Sequence, residues 1–93
     1  IFHLKDSDKF IDDLYIYPNP SNGIFSLSFN CNTVQDIEIY INNILGEEIF
    51  YNLLNSCNGE SSFDFNLNGI KNSIYILTLK SDKKIINKLL LIE

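Results

Sequence analysis

Apolar and polar residues alternate along most of the chain with a period of two, the pattern of strands that bury one face. The clearest run is Ile24 to Cys31, with Phe25, Leu27, Phe29 and Cys31 on one face and Ser26, Ser28 and Asn30 on the other. Asp36 to Ile41 alternates again through Ile37, Ile39 and Ile41, and Glu47 to Leu54 sets Ile49, Tyr51 and Leu53 on one side. With Asn42 to Gly46 between them, these two runs predict a β-hairpin. Leu14 to Tyr17 opens the series; Ser62 to Leu67 brings Phe63, Phe65 and Leu67 into phase, and Ser73 to Lys80 does the same for Tyr75, Leu77 and Leu79. The last run, Lys84 to Ile92, has no clear phase, because Asn87 and Lys88 interrupt both faces. Turn signals separate the runs. Pro18 to Gly23 is the strongest: two prolines fix φ and remove donors, and Asn22 and Gly23 accept positive φ. Asn55 to Glu60, Asn68 to Asn72 and Ser81 to Lys83 supply the others. No segment repeats at 3.6 residues. The expectation is an all-β domain, a small antiparallel immunoglobulin-like β-sandwich of about seven strands, with an open barrel of similar strand count as the other architecture the pattern allows.

Composition strengthens this. Ninety-three residues make one domain at most, and 35 of them are Leu, Ile, Val or Phe, enough for a core. Fifteen are Ile and none is Ala, a bias toward strand. Residues 1–13 differ: four are Asp and no period emerges, so they are expected to be a linker or the end of an upstream domain, leaving 14–93 as the folded unit. The chain opens on Ile1 rather than Met and reads as an excerpt from a longer protein. No apolar run approaches the roughly 20 residues needed to span a bilayer, so direct membrane insertion is not expected. A net charge of −5 and the lack of Arg argue against nucleic acid or an anionic membrane as partner. Lys80, Lys83, Lys84 and Lys88 cluster at the last predicted hairpin, as lysines do on a solvated strand edge.

Catalytic chemistry is scarce. His3 is the single histidine and falls in the expected linker, away from any nucleophile. Asp12–Asp13 and Glu47–Glu48 are sequence neighbours, so on a strand they point to opposite faces and do not converge on one bond. No Cys/His set satisfies zinc, and no glycine-rich phosphate loop is present. Asp6 and Asp8 open like a calcium loop, but Ile11 and Tyr17 stand where its Gly and Glu belong. No catalytic residue, metal site or cofactor is therefore expected. Cys31 and Cys57 allow one disulfide; the alternative is a buried thiol at Cys31 and a separate thiol at Cys57. Tyr15, Tyr17, Tyr40, Tyr51 and Tyr75 offer a sugar platform, though most aromatics here alternate with core positions.

The order of loops and strands resembles a known family. Tyr17, Pro18, Asn19, Pro20, two residues, Gly23, one residue and Phe25 match the opening motif of the C-terminal sorting domains of the type IX secretion system, found in the Bacteroidetes and their relatives. Ile39 to Ile49, with Gly46 at its turn, is similar to the second family block; Phe63 to Leu67 with Ser73 to Leu77, centred on Tyr75, to the third; and Lys88, Leu89, Leu90, Leu91 and Ile92 to the last. Ser73 stands where the family usually has Gly, Asn43 where it commonly has Asp, and the chain stops on Glu93 rather than the common basic or polar end. The resemblance implies a non-enzymatic label. It directs an upstream cargo from the periplasm through the outer-membrane translocon to the cell surface or medium. In many cargos a sortase-like peptidase then removes it, and the acidic stretch before Leu14 is the expected cleavage region. The last strand and the Pro-Asn-Pro loop are the expected recognition elements. The alternative function is an immunoglobulin-like adhesion or carbohydrate-binding module of a surface protein.

Overall fold

The computed structural model describes residues 11–82 and 84–93. His3, Asp6, Asp8 and Lys83 lie outside them. Among the described residues there are five antiparallel strands: β1 (Ile11–Tyr17), β2 (Ile24–Asn43), β3 (Glu48–Asn66), β4 (Ser73–Lys80) and β5 (Ile85–Ile92). They form one sheet in the order β1-β2-β4-β5, with β3 along β2 as well. The all-β antiparallel class agrees with the alternation in the sequence, but the strand count is five rather than seven.

The difference arises at residues 32–35, which separate two expected strands, and at 55–60, where a loop is expected. Both segments stay in the ladder, Cys31 opposite Gly59 and Gln35 opposite Cys57, with register shifts on either side of Gln35. Ser56 and Gly59 take positive φ, 55° and 75°, and the Ser56 amide donates to Asp36 Oδ1 at 2.9 Å. A polar stretch that a sequence pattern reads as a break is here a bulged bend in a continuous ribbon.

That bend lets the sheet fold over on itself. Phe50 and Phe65 sit 15 positions apart on β3, about 50 Å if the strand ran straight. Their ring centroids are 5.0 Å apart, and Phe50 also meets Phe63 edge-on at 5.8 Å. The two halves of the ribbon thus face each other. β1 flanks β2 at the end nearer Ile24, in register with Ser26 to Cys31, and β4 and β5 continue the sheet beside Glu38 to Asn43. One core joins both halves. Phe25, Leu27, Phe29 and Cys31 come from the first, and Ile37, Ile39, Ile41, Leu77, Leu79, Leu90 and Ile92 from the second. Phe25 stacks on Phe65 with centroids 4.6 Å apart.

Three details depart from the sequence pattern. β1 takes in Ile11 to Asp13, and Ile11 is buried in the core. Ile49, Tyr51 and Leu53 line the outer face, because Tyr51 pairs with Tyr40 and Leu53 with Glu38, so Phe50 and Leu54 face inward. The phase of β5 is now defined: Leu90 and Ile92 are buried while Ile85 and Leu89 point out.

Candidate recognition surface

The loop at residues 18–23 is built against the edge of β5. Asn19, exposed and held between Pro18 and Pro20, donates from Nδ2 to the Leu89 carbonyl (3.0 Å) and accepts at Oδ1 from the Leu91 amide (2.9 Å). One side-chain amide therefore replaces the peptide group of a neighbouring strand. Ser21 continues the pairing with its backbone. Its amide donates to the Leu91 carbonyl (3.0 Å), and its carbonyl accepts from the Glu93 amide (2.8 Å) in a parallel bridge with Ile92. Ser21 is buried, and its hydroxyl oxygen accepts from the Gly23 amide at 3.2 Å.

Gly23 needs to be glycine for two reasons. Its φ is +111°, and a Cβ would stand 2.9 Å from the Leu67 carbonyl oxygen. That close approach is the joint between the loop and the segment after β3, where the Leu67 amide donates to the Gly23 carbonyl at 2.8 Å.

The other motif residues divide between support and display. Tyr75 buries its ring, and its hydroxyl donates to the Lys71 carbonyl at 2.6 Å, closing the loop before β4. Gly46 adopts φ +86° in the β2–β3 turn. There Asn43 Oδ1 accepts from the Leu45 and Glu47 amides, and Asn43 Nδ2 donates to Glu47 Oε1 at 2.7 Å. Aspartate could not make that last bond. The register sets Asn43, Tyr75 and Leu90 in one row across β2, β4 and β5, so this turn lies at the end of the sheet where the Asn19 loop meets β5. Phe25, Leu90 and Ile92 are core, and Leu91 is half-buried. Tyr17, Pro18, Pro20, Lys88 and Leu89 remain on display, Tyr17 at 77% and Leu89 at 61% exposure.

β5 is a half-closed edge. Outward backbone groups alternate along an antiparallel strand. Leu91 and the Leu89 carbonyl face the loop, so Asn87 and Ile85 face the same way, and β5 ends the strand order. Among the described residues, no strand pairs with that part of the edge. Lys88 shares the alternation of Leu90 and Ile92 and sits opposite buried Leu77, yet it is exposed. An inward-phased charge on an edge strand discourages indiscriminate pairing.

Cys31 and Cys57 form a disulfide at the bend of the ribbon, with Cα atoms 6.1 Å apart. On the outer face nearby, the Tyr51 hydroxyl donates to Glu38 Oε2 at 2.7 Å, and the Tyr40 and Tyr51 rings lie 5.0 Å apart. The hydrogen bond to Glu38, then partial desolvation, pushes Tyr51 up to about 12. Tyr40 is also raised, first by desolvation and then by the Glu38 charge. Among the described residues, no three His, Cys, Asp or Glu gather as a metal would need. Ser21 is the member of this surface that the sequence pattern missed. It reads as one of two unspecified loop residues, and only its contact with β5 reveals it.

Residues 15–93 match a family model described as secretion system C-terminal sorting domain. No curated protein matches the chain.

Proposed function

The chain belongs to the type IX secretion system C-terminal sorting domains, and on that premise we propose that it acts as a non-enzymatic address for a covalently linked upstream cargo. The machinery is the outer-membrane translocon, and the destination is the cell surface or medium. The match over residues 15–93 carries this reading. The open part of β5, Ile85 to Lys88, is the docking edge; an unpaired strand edge accepts an extended segment through main-chain hydrogen bonds. The Asn19 loop presents that edge by holding Leu89 to Glu93 in register. It is already rigid, so little ordering entropy is lost on docking. After export, a sortase-like peptidase removes the domain. A cut upstream of Ile11 leaves β1 and its buried anchor whole.

The test is a fusion of the full chain to a periplasmic reporter in a host with a type IX system. The reporter is expected at the surface or in the medium. Retention in the periplasm, with the domain folded, would sink the proposal.

A further inference from the structure

The outer face of the sheet changes character along its length. Around β4, β5 and the nearby half of β3 it exposes the large apolar side chains of Ile49, Leu53, Ile74 and Leu89. At the other end, β1, β2 and β3 set polar rows side by side: Tyr15, Ser28 and Ser62 in one, Tyr17, Ser26 and Asp64 in the next, then Asn30 opposite Glu60. A groove of about 690 Å³ opens here, lined by Tyr15, Ser28, Phe29, Asn30, Glu60, Ser61 and Ser62.

The tyrosines at this end differ from the rest. Tyr75 is buried, and Tyr40 and Tyr51 lean on each other beside Glu38. Tyr15 and Tyr17 are 64% and 77% exposed. They stand on one face of β1, roughly 7 Å apart by strand geometry. Tyr15 lines the groove with an apolar ring beside the hydroxyls of Ser28, Ser61 and Ser62, the amide of Asn30 and the carboxylate of Glu60.

We propose that this groove binds a neutral oligosaccharide. A pyranose has an apolar C–H face and a rim of hydroxyls that both donate and accept. The ring of Tyr15 covers the first, and Ser28, Ser62, Asn30 and Glu60 meet the second. The carboxylate accepts from sugar hydroxyls in charge-assisted bonds. Other ligand classes fit poorly. The lining has no cation, and Glu60 and nearby Asp64 repel phosphates, nucleotides and acidic sugars. A lipid chain or apolar side chain would strip water from this polar wall without replacing its hydrogen bonds. The volume falls within the range of small-ligand sites. No residue of β5 or of the Asn19 loop lines the groove, so sugar binding and docking at that edge use separate residues.

The experiment is a titration of the ¹⁵N-labelled full chain with a panel of neutral trisaccharides (maltotriose, cellotriose, chitotriose), followed by amide shifts. At least one is expected to give saturable shifts centred on Tyr15, Ser28, Asn30 and Glu60 to Ser62. Tyr15→Ala and Glu60→Gln should each weaken it by about five- to tenfold, the loss of one ring contact or one charge-assisted bond. Both positions are at the surface, so thermal midpoints should stay near that of the parent. Tri-galacturonate should bind more weakly than the neutral sugars. No saturable shift across the panel, binding unaffected by both substitutions, or preference for the acidic sugar would each overturn the assignment. Because the readout is direct binding, it is independent of whether the fused reporter is exported.

Discussion

Asn19 is where one side chain does most to join the two ends of the fold. Its amide spans a strand edge 70 positions away, with one donor and one acceptor both used. Asn19→Ala should cost about 1 kcal/mol, because exposed hydrogen bonds contribute modestly, and should speed hydrogen exchange at the Leu91 amide while leaving the core amides slow. Asn19→Asp keeps only the acceptor, so it should recover protection at Leu91 but not the lost stability. Urea unfolding and native-state exchange would measure both. Sequence marks Asn19 as part of a rigid loop, but its partner is invisible in the chain. No local pattern ties a loop asparagine to a strand so far along. Tyr51 is similar: its alternation is legible, its partner Glu38 is not. The folded state makes this hydroxyl harder to ionise, about 12 against an ordinary 10. Its contribution is therefore complete below pH 10 and is lost as the pH rises through about 12. Glu38→Gln removes the charged acceptor and should lower the Tyr51 titration toward 10, as read by ring-carbon NMR. An unchanged titration would show that Glu38 is not the cause.

At the scale of elements, each run of alternation survives in the structure, and the missed strand continuity lies between runs. Phe25 to Cys31 and Ile37 to Ile41 bury the same face of one strand, so the residues between them had only to bend and stay paired. Asn32 and Thr33 fall between two runs because polarity is read as a break in the strand. In the fold that polarity solvates an outer bend, while positive φ at Ser56 and Gly59 takes up the curvature. The same bend carries the Cys31–Cys57 disulfide, at a separation of 26 residues. Replacing both cysteines with alanine should cost about 3 kcal/mol, the loop-closure entropy returned to the unfolded chain. The urea m-value should rise, because an uncrosslinked chain exposes more surface on unfolding. Exchange should quicken first at residues 32–36 and 55–58. A loss of stability without any change in m would place the effect in the folded state.

The whole molecule is electrically lopsided. Residues 71–93 hold five lysines against two carboxylates, while residues 1–70 hold two lysines against ten. Among the described residues, Lys80, Lys84 and Lys88 lie on or beside β4 and β5, while residues 14–70 hold six carboxylates and no lysine, so the open edge carries a charge opposite to that of the body behind it. That arrangement favours a partner with an acidic extended segment and disfavours a second copy paired β5 to β5, where lysines would oppose lysines. Removing Lys88 to Glu93 is the obvious way to test whether β5 is the docking edge, but it is a poor one. It takes Leu90 and Ile92 out of the core, strips β4 of its outer neighbour, and leaves Asn19 and Ser21 facing nothing. Export would fail because the domain no longer folds. Lys88→Glu and Leu89→Ser touch only exposed side chains, where substitutions usually change stability by about 0.5 kcal/mol or less. Both variants should unfold cooperatively at temperatures close to the parent, and the fused reporter should stay in the periplasm. If these folded variants are exported as well as the parent, β5 supports the address without being the part that is read. The displayed Tyr17 at the end of β1, with Pro18 and Pro20 of the loop that follows, would then become the surface to mutate.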